Sequence, residues 1–118
     1  MYTIKIEAVF SSAHNLRGYK GKCEELHGHN WKVEASLCAE RLDKNGLLMD
    51  FKELKDKLNE VLERLDHKYL NDIPYFKKVN PTSENIARYI YEALKASTPD
   101  LNSITVWENS ASAATYQE

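Results

Sequence analysis

The chain has 118 residues, 42% hydrophobic and 29% charged, with a formal net charge of -2. That length points to one domain, residues 1–118, with enough core to fold without staples. The near-neutral charge gives no bulk attraction to nucleic acid or to a membrane surface, and no apolar run approaches the ~18 residues of a membrane span. Two cysteines, one of them beside a histidine cluster, do not make a disulfide framework. Met1-Tyr2-Thr3-Ile4-Lys5 alternates like a strand, not a leader. The expected location is the cytoplasm, with free thiols.

Residues 2–12 read as a strand. Tyr2, Ile4, Ile6, Ala8 and Phe10 share one parity, and Thr3, Lys5 and Glu7 the other. Carried on, the apolar parity reaches Ser12 and His14, so His14 is expected to look inward. Alone it reads more readily as a core histidine bonded to a carbonyl. Residues 15–26 form a glycine-bearing loop with Arg17, Lys20, Lys22 and Cys23; its cations read as a solvated loop or as contacts to an anionic substrate.

Residues 27–42 read as a second strand with Trp31, Val33, Ala35 and Leu37 on the apolar parity. Extended backwards, that parity takes in His29 and His27. Neighbours two apart on a strand face the same way, so the pair flanking Gly28 can aim at one ion, although such a pair also occurs as ordinary surface histidines. Two strands therefore each end in histidine on the apolar side, and an antiparallel pairing would bring the ends together. Neutral imidazoles suit zinc, and three of them leave a catalytic ion one open position. Cys38 falls on the polar parity and reads as a plain packed or interface thiol.

A turn at Asp43-Lys44-Asn45-Gly46 precedes a helix over 50–66, with Asp50 as its cap. Phe51, Leu54, Leu58, Val61, Leu62 and Leu65 form its buried stripe. Asp66-His67 at its end reads as a salt-bridged cap or as an acid supporting a catalytic base. A loop over 71–81 leads to a second helix opened by Thr82-Ser83-Glu84-Asn85 and stopped near Pro99. Strands over 103–109 and 114–116 follow. Glu108 interrupts an apolar parity set by Ile104 and Val106, which a carboxylate tolerates only when paired. The order strand, strand, helix, helix, strand, strand predicts an α+β fold: a four-stranded antiparallel sheet with two helices on one face. There is no internal repeat or low-complexity segment.

Taken in order, His14, Cys23-xxx-His27-Gly28-His29, Asp66-His67, Pro81-Thr82-Ser83-Glu84-Asn85 and Glu108 span nearly the whole chain. Together they resemble the 6-pyruvoyl-tetrahydropterin synthase family, and within it the branch that makes 6-carboxy-tetrahydropterin for queuosine. The resemblance implies the tunnelling fold (ββααββ), whose subunits join their sheets into a barrel, with a homo-oligomer of two stacked trimers and active sites between subunits. It implies that His14, His27 and His29 hold Zn2+, that Cys23, Asp66 and His67 form a catalytic triad, and that Glu108, with Thr82 and Ser83 nearby, anchors the pterin. The implied substrate is 7,8-dihydroneopterin triphosphate, and the implied products are 6-carboxy-tetrahydropterin, acetaldehyde and triphosphate. Zinc acidifies carbon-bound protons beside the hydroxyls it holds, a thiolate near positive charge can move them, and His67 can relay protons.

Arg17, Lys20 and Lys22 are candidates for the triphosphate on their charge alone. Some family members replace the cysteine by a glutamate closer to the histidines; Glu24 and Glu25 stand near that place but, with Cys23 present, read as loop charges. The pyruvoyl product and a non-catalytic zinc-stapled module are the competing readings.

Overall fold

The computed structural model describes residues 1–18, 21 and 25–118. In chain order the elements are β1 (Tyr2–His14), β2 (His27–Ala39), α1 (Phe51–Leu62), β3 (Lys68–Tyr69), a single 3-10 turn (Leu70–Asp72), α2 (Pro74–Lys78), α3 (Ser83–Lys95), β4 (Leu101–Asn109) and β5 (Ser112–Gln117). The strands make one sheet in the order β3-β1-β2-β4-β5. The α+β class stands, but the sheet is not the four-stranded antiparallel one expected. It has five strands and is mixed, because Lys68 and Tyr69 run parallel to β1 opposite Ser12 and Ala13.

The extra strand follows from how the chain leaves α1. His67 adopts a left-handed backbone with φ 54°, and its N–H donates to the Ser11 carbonyl at 2.6 Å. That turn sets the next two residues along the β1 edge. Two residues cannot display a period of two, so no pattern announces the strand. The loop expected over 71–81 also carries structure: the 3-10 turn, then α2, which opens on Pro74 where a missing N–H does no harm. Among the described residues there are thus three α-helices, not two.

The period-two readings of the long strands hold. β1 and β2 pair antiparallel from Tyr2 opposite Ala39 to His14 opposite His27. Ile6, Ala8 and Phe10 are buried from β1, and Trp31, Val33, Ala35 and Leu37 from β2, in one cluster with Leu54, Leu58, Ile86, Ile90, Ile104 and Val106. Trp31 is fully buried and lies parallel to Phe10 with ring centroids 6.0 Å apart. On the opposite parity Lys5 and Glu7 are exposed and Lys32 and Glu34 half-buried. Cys38 is half-buried with its sulfur 3.2 Å from Thr3 Oγ1.

Both long helices are capped as their sequences suggest. The Asp50 carboxylate accepts from the Lys52 N–H at 2.8 Å, and Thr82 Oγ1 accepts from the Asn85 N–H at 3.1 Å, each satisfying an otherwise orphaned donor. Phe51 departs from the expected stripe and is 59% exposed. It is the first residue after the cap, where the helix has not yet turned its apolar face to the sheet.

The contrast is measurable. Leu58→Ala leaves a void among fully buried neighbours and is expected to cost about 2–5 kcal/mol in urea unfolding, whereas Phe51→Ala is expected to cost less than half as much. Equal losses would mean that the α1 stripe is misplaced.

Candidate metal centre

The β1–β2 register places His14 directly opposite His27, and Ser12 opposite His29. All three histidines lie on the parity that faces the core. His14 is buried, and His27 and His29 are half-buried. The fourth member comes from β4. The β4–β5 pairing shifts register between Trp107 and Asn109, and the intervening Glu108 turns its carboxylate toward the histidines, as bulges beside sites commonly do. One donor atom from each of His14, His27, His29 and Glu108 lies within 4.8 Å of the others.

Two backbone carbonyls decide the tautomers. His14 Nδ1 is 2.7 Å from the Pro81 carbonyl, and His27 Nδ1 is 2.7 Å from the Glu25 carbonyl. A carbonyl only accepts, so both Nδ1 atoms carry hydrogen, and in the neutral rings both Nε2 atoms present lone pairs. Those lone pairs face each other at 3.0 Å. His29 Nε2 is buried without a hydrogen-bond partner among the described residues. Glu108 Oε1 approaches it to 2.9 Å but off the direction of a ring N–H bond. Electron-rich atoms gathered this closely repel one another unless a cation sits among them. The four donor atoms all lie within 4.8 Å of one another, three of the separations being 2.9, 3.0 and 3.7 Å. The donor set therefore fits a metal ion, with the carbonyls orienting the rings from behind.

Asp66 and His67 form a separate pair. Asp66 Oδ1 accepts from the Ser11 N–H at 2.9 Å, and His67 Nδ1 lies 2.9 Å from Asp66 Oδ2. The Ser11 N–H, chiefly, and the His67 bond hold the Asp66 carboxyl below its ordinary range, so an ionised acid fixes the Nδ1–H tautomer and leaves His67 Nε2 as a base. The His67 side chain is 82% exposed. It lines an open groove of about 500 Å³ with Ser11, Ala13, Gly28 and Asn30, and with Ser12 and His29. The first four stand on the parity opposite the metal cluster and Ser12 and His29 on its own parity, so the groove runs along the ends of β1 and β2. Among the described residues no hydrogen bond or ion pair joins the acid–histidine pair to the four-donor cluster, although His67 and His29 line the same groove.

The other expected residues fall as follows. Thr82 and Ser83 begin α3 beside Pro81, whose carbonyl orients His14. Cys23, Lys20, Lys22 and Glu24 lie outside the described residues. Arg17 Nη2 donates to the carbonyls of Phe76 and, at 3.0 Å, of Val79, so it closes the end of α2. Unforeseen were two asparagine clamps. Asn71 exchanges two hydrogen bonds with the Asn15 backbone, and Asn80 does the same with Arg17. A side-chain amide imitating a strand partner has no period and no charge, so it leaves no sequence signal.

Against known proteins, a family model described as 6-pyruvoyl tetrahydropterin synthase matches residues 3–118. The chain belongs to this family. A 6-carboxy-5,6,7,8-tetrahydropterin synthase of Synechocystis is 39% identical, covering 98% of this chain and 93% of that protein. The human 6-pyruvoyl tetrahydrobiopterin synthase is 35% identical, covering 91% of this chain and 77% of that protein. The structure of a Caenorhabditis elegans 6-pyruvoyl tetrahydropterin synthase superposes with a TM-score of 0.90 at 31% identity, over 99% of this chain and 95% of that one. Family members bearing both product names thus share this chain's fold or sequence.

Burial is the chief cause that holds His14 and His29 below their ordinary 6.5. The unfolded chain binds more protons than the folded one once pH drops below that value, so stability is present above 6.5 and lost as pH falls toward the lowered folded values. Metal-free protein is expected to weaken in urea between about pH 7 and 5, with a flatter profile for His14→Gln; equal slopes would contradict this.

Proposed function

We propose that the protein is a zinc-dependent lyase that converts 7,8-dihydroneopterin triphosphate to 6-carboxy-5,6,7,8-tetrahydropterin, acetaldehyde and triphosphate, a step toward queuosine and related 7-deazapurines. The observation that carries this is the convergence of His14, His27 and His29 through their Nε2 atoms, with Glu108 beside them, in a chain 39% identical to a protein of the carboxy-producing name.

In this reading His14, His27 and His29 hold the ion. When bound, zinc supplies Lewis-acid polarisation of the substrate's side-chain hydroxyls, which acidifies the neighbouring carbon-bound protons. Cys23 takes such a proton as a thiolate. His67, with Nδ1–H fixed by Asp66, uses the exposed Nε2 to return a proton to another carbon. Glu108 accepts from the guanidine-like edge of the pterin, with Thr82 and Ser83 near it. The Thr82 oxygen already caps α3, so its free O–H is what remains to offer. Arg17, held by two carbonyls, leaves Lys20 and Lys22 as the triphosphate candidates.

In this reading the site is built between subunits, with one copy's Asp66–His67 pair working on the cluster of the next; within one chain no hydrogen bond or ion pair joins the two among the described residues. The β1 edge supports the same assembly: among the described residues β3 covers it only opposite Ser12 and Ala13, and the long remaining edge can pair with another copy. A barrel of trimers, stacked as a hexamer, is the proposed form, with residues 1–118 acting as one domain in the cytoplasm. No helix is long and apolar enough to cross a membrane among the described residues.

The pyruvoyl product is the second reading, favoured by the likeness to the worm enzyme. Incubating zinc-loaded protein with 7,8-dihydroneopterin triphosphate and weighing the products by mass spectrometry separates the two: a carboxy-tetrahydropterin mass with acetaldehyde is expected, and a pyruvoyl mass would overturn the assignment. His29→Ala is expected to lose zinc, and Cys23→Ala to keep zinc but lose turnover. Full zinc content in His29→Ala would refute the ligand set, and retained turnover in Cys23→Ala would point to a glutamate base.

A further inference from the structure

We propose that Glu108 is the fourth ligand of the metal in the substrate-free protein, so that the ion rests closed and opens only when this carboxylate leaves. The inference builds on the metal reading above and gives Glu108 a task beyond anchoring the pterin.

Three features of the site carry it. Glu108 Oε1 stands 2.9 Å from His29 Nε2 and 3.7 Å from His14 Nε2, separations that suit two corners of one coordination tetrahedron. The interrupted β4–β5 register between Trp107 and Asn109 holds it there, one residue beyond the Lys32–Trp107 pair that ends the β2–β4 ladder. Finally, the carboxylate has no protein cation to answer it. Among the described residues no lysine or arginine lies within ion-pair distance of Glu108; of its near neighbours, His14 presents the Nε2 lone pair that its bond to Pro81 fixes, and His29 Nε2 is buried without a hydrogen-bond partner. A half-buried carboxylate facing lone pairs is unfavourable on its own. A divalent ion among the four atoms turns each of those repulsions into an attraction.

The same oxygen cannot hold the metal and the pterin edge at once. Arrival of the pterin ring would draw Glu108 away, and the corner it vacates would be the one that a substrate hydroxyl takes. Metal and water are thereby kept apart until substrate is seated. No bond is made or broken beyond this exchange of ligands.

Cobalt(II) in place of zinc gives a readout independent of turnover, since its visible absorption reports ligand number and identity. The full-length protein and its Glu108→Ala and Glu108→Gln variants, each checked for native circular dichroism, are loaded with one cobalt and titrated with azide as a small probe for an open position, and separately with neopterin. In the wild type the bands are expected to ignore azide and to shift with neopterin. In Glu108→Ala azide is expected to shift them, and cobalt affinity to fall about 10- to 100-fold, with Glu108→Gln in between. Wild-type bands that respond to azide as readily as those of Glu108→Ala, or undiminished cobalt affinity in that variant, would overturn the proposal while leaving the three-histidine site intact. Bands unmoved by neopterin would overturn the exchange. Failure of the wild type to bind cobalt or zinc at all would remove the metal reading along with it.

Discussion

Everything at this site depends on the register of β1 against β2. Sliding one strand by a single residue would turn its histidine side chains to the other face of the sheet. The register is enforced far from the histidines, by the apolar side chains of Ile6, Ala8, Phe10, Trp31, Val33 and Leu37, which must all reach the core together. The hydrophobic effect thus fixes the position of polar ligands at the strand ends. Trp31 links the two regimes: it stacks on Phe10 below and meets the rings of His14 and His29 edge-on above, with centroids 4.9 and 5.0 Å away.

A second layer keeps the rings from turning once they are there. His14 is tied to Pro81 and His27 to Glu25, and the clamps from Asn71 and Asn80 hold the chain just after His14 to the segment that precedes α3. Backbone carbonyls and side-chain amides do this without adding charge. The lone pairs therefore point inward by geometry alone, ahead of any ion.

What could be read from the sequence was whatever has a period or a rare residue. Alternation along residues 2–14 and 27–37 gave the strands, their buried faces and the meeting of three histidines; the break at Glu108 in an apolar run marked an acid in need of a partner, but not its place among the histidines. The Leu54, Leu58, Val61 and Leu62 stripe marked α1. What stayed hidden has no period. Lys68 and Tyr69 form a strand because His67 turns the chain onto a ready-made edge, and Asn71 and Asn80 act through bonds between residues more than fifty positions apart. Arg17 shows a use its charge did not announce: one nitrogen of its guanidinium serves the carbonyls at the end of a short helix. The course of the chain after His67 also had no sequence signal, since it is set by a backbone angle.

That angle carries a consequence for how such a site can change over generations. Left-handed backbone disfavours most side chains but suits glycine, and asparagine, aspartate and histidine itself tolerate it. The replacements that best keep the chain folded at position 67 are thus ones that abolish an imidazole. Among the described residues only the Asp66 carboxylate engages the imidazole itself; the Ser11 carbonyl is met by the backbone N–H of residue 67, whichever side chain it bears. A lineage released from the need for proton transfer could shed the base and keep the scaffold, its core and its cluster of ligands, leaving a stable protein free to drift toward other chemistry.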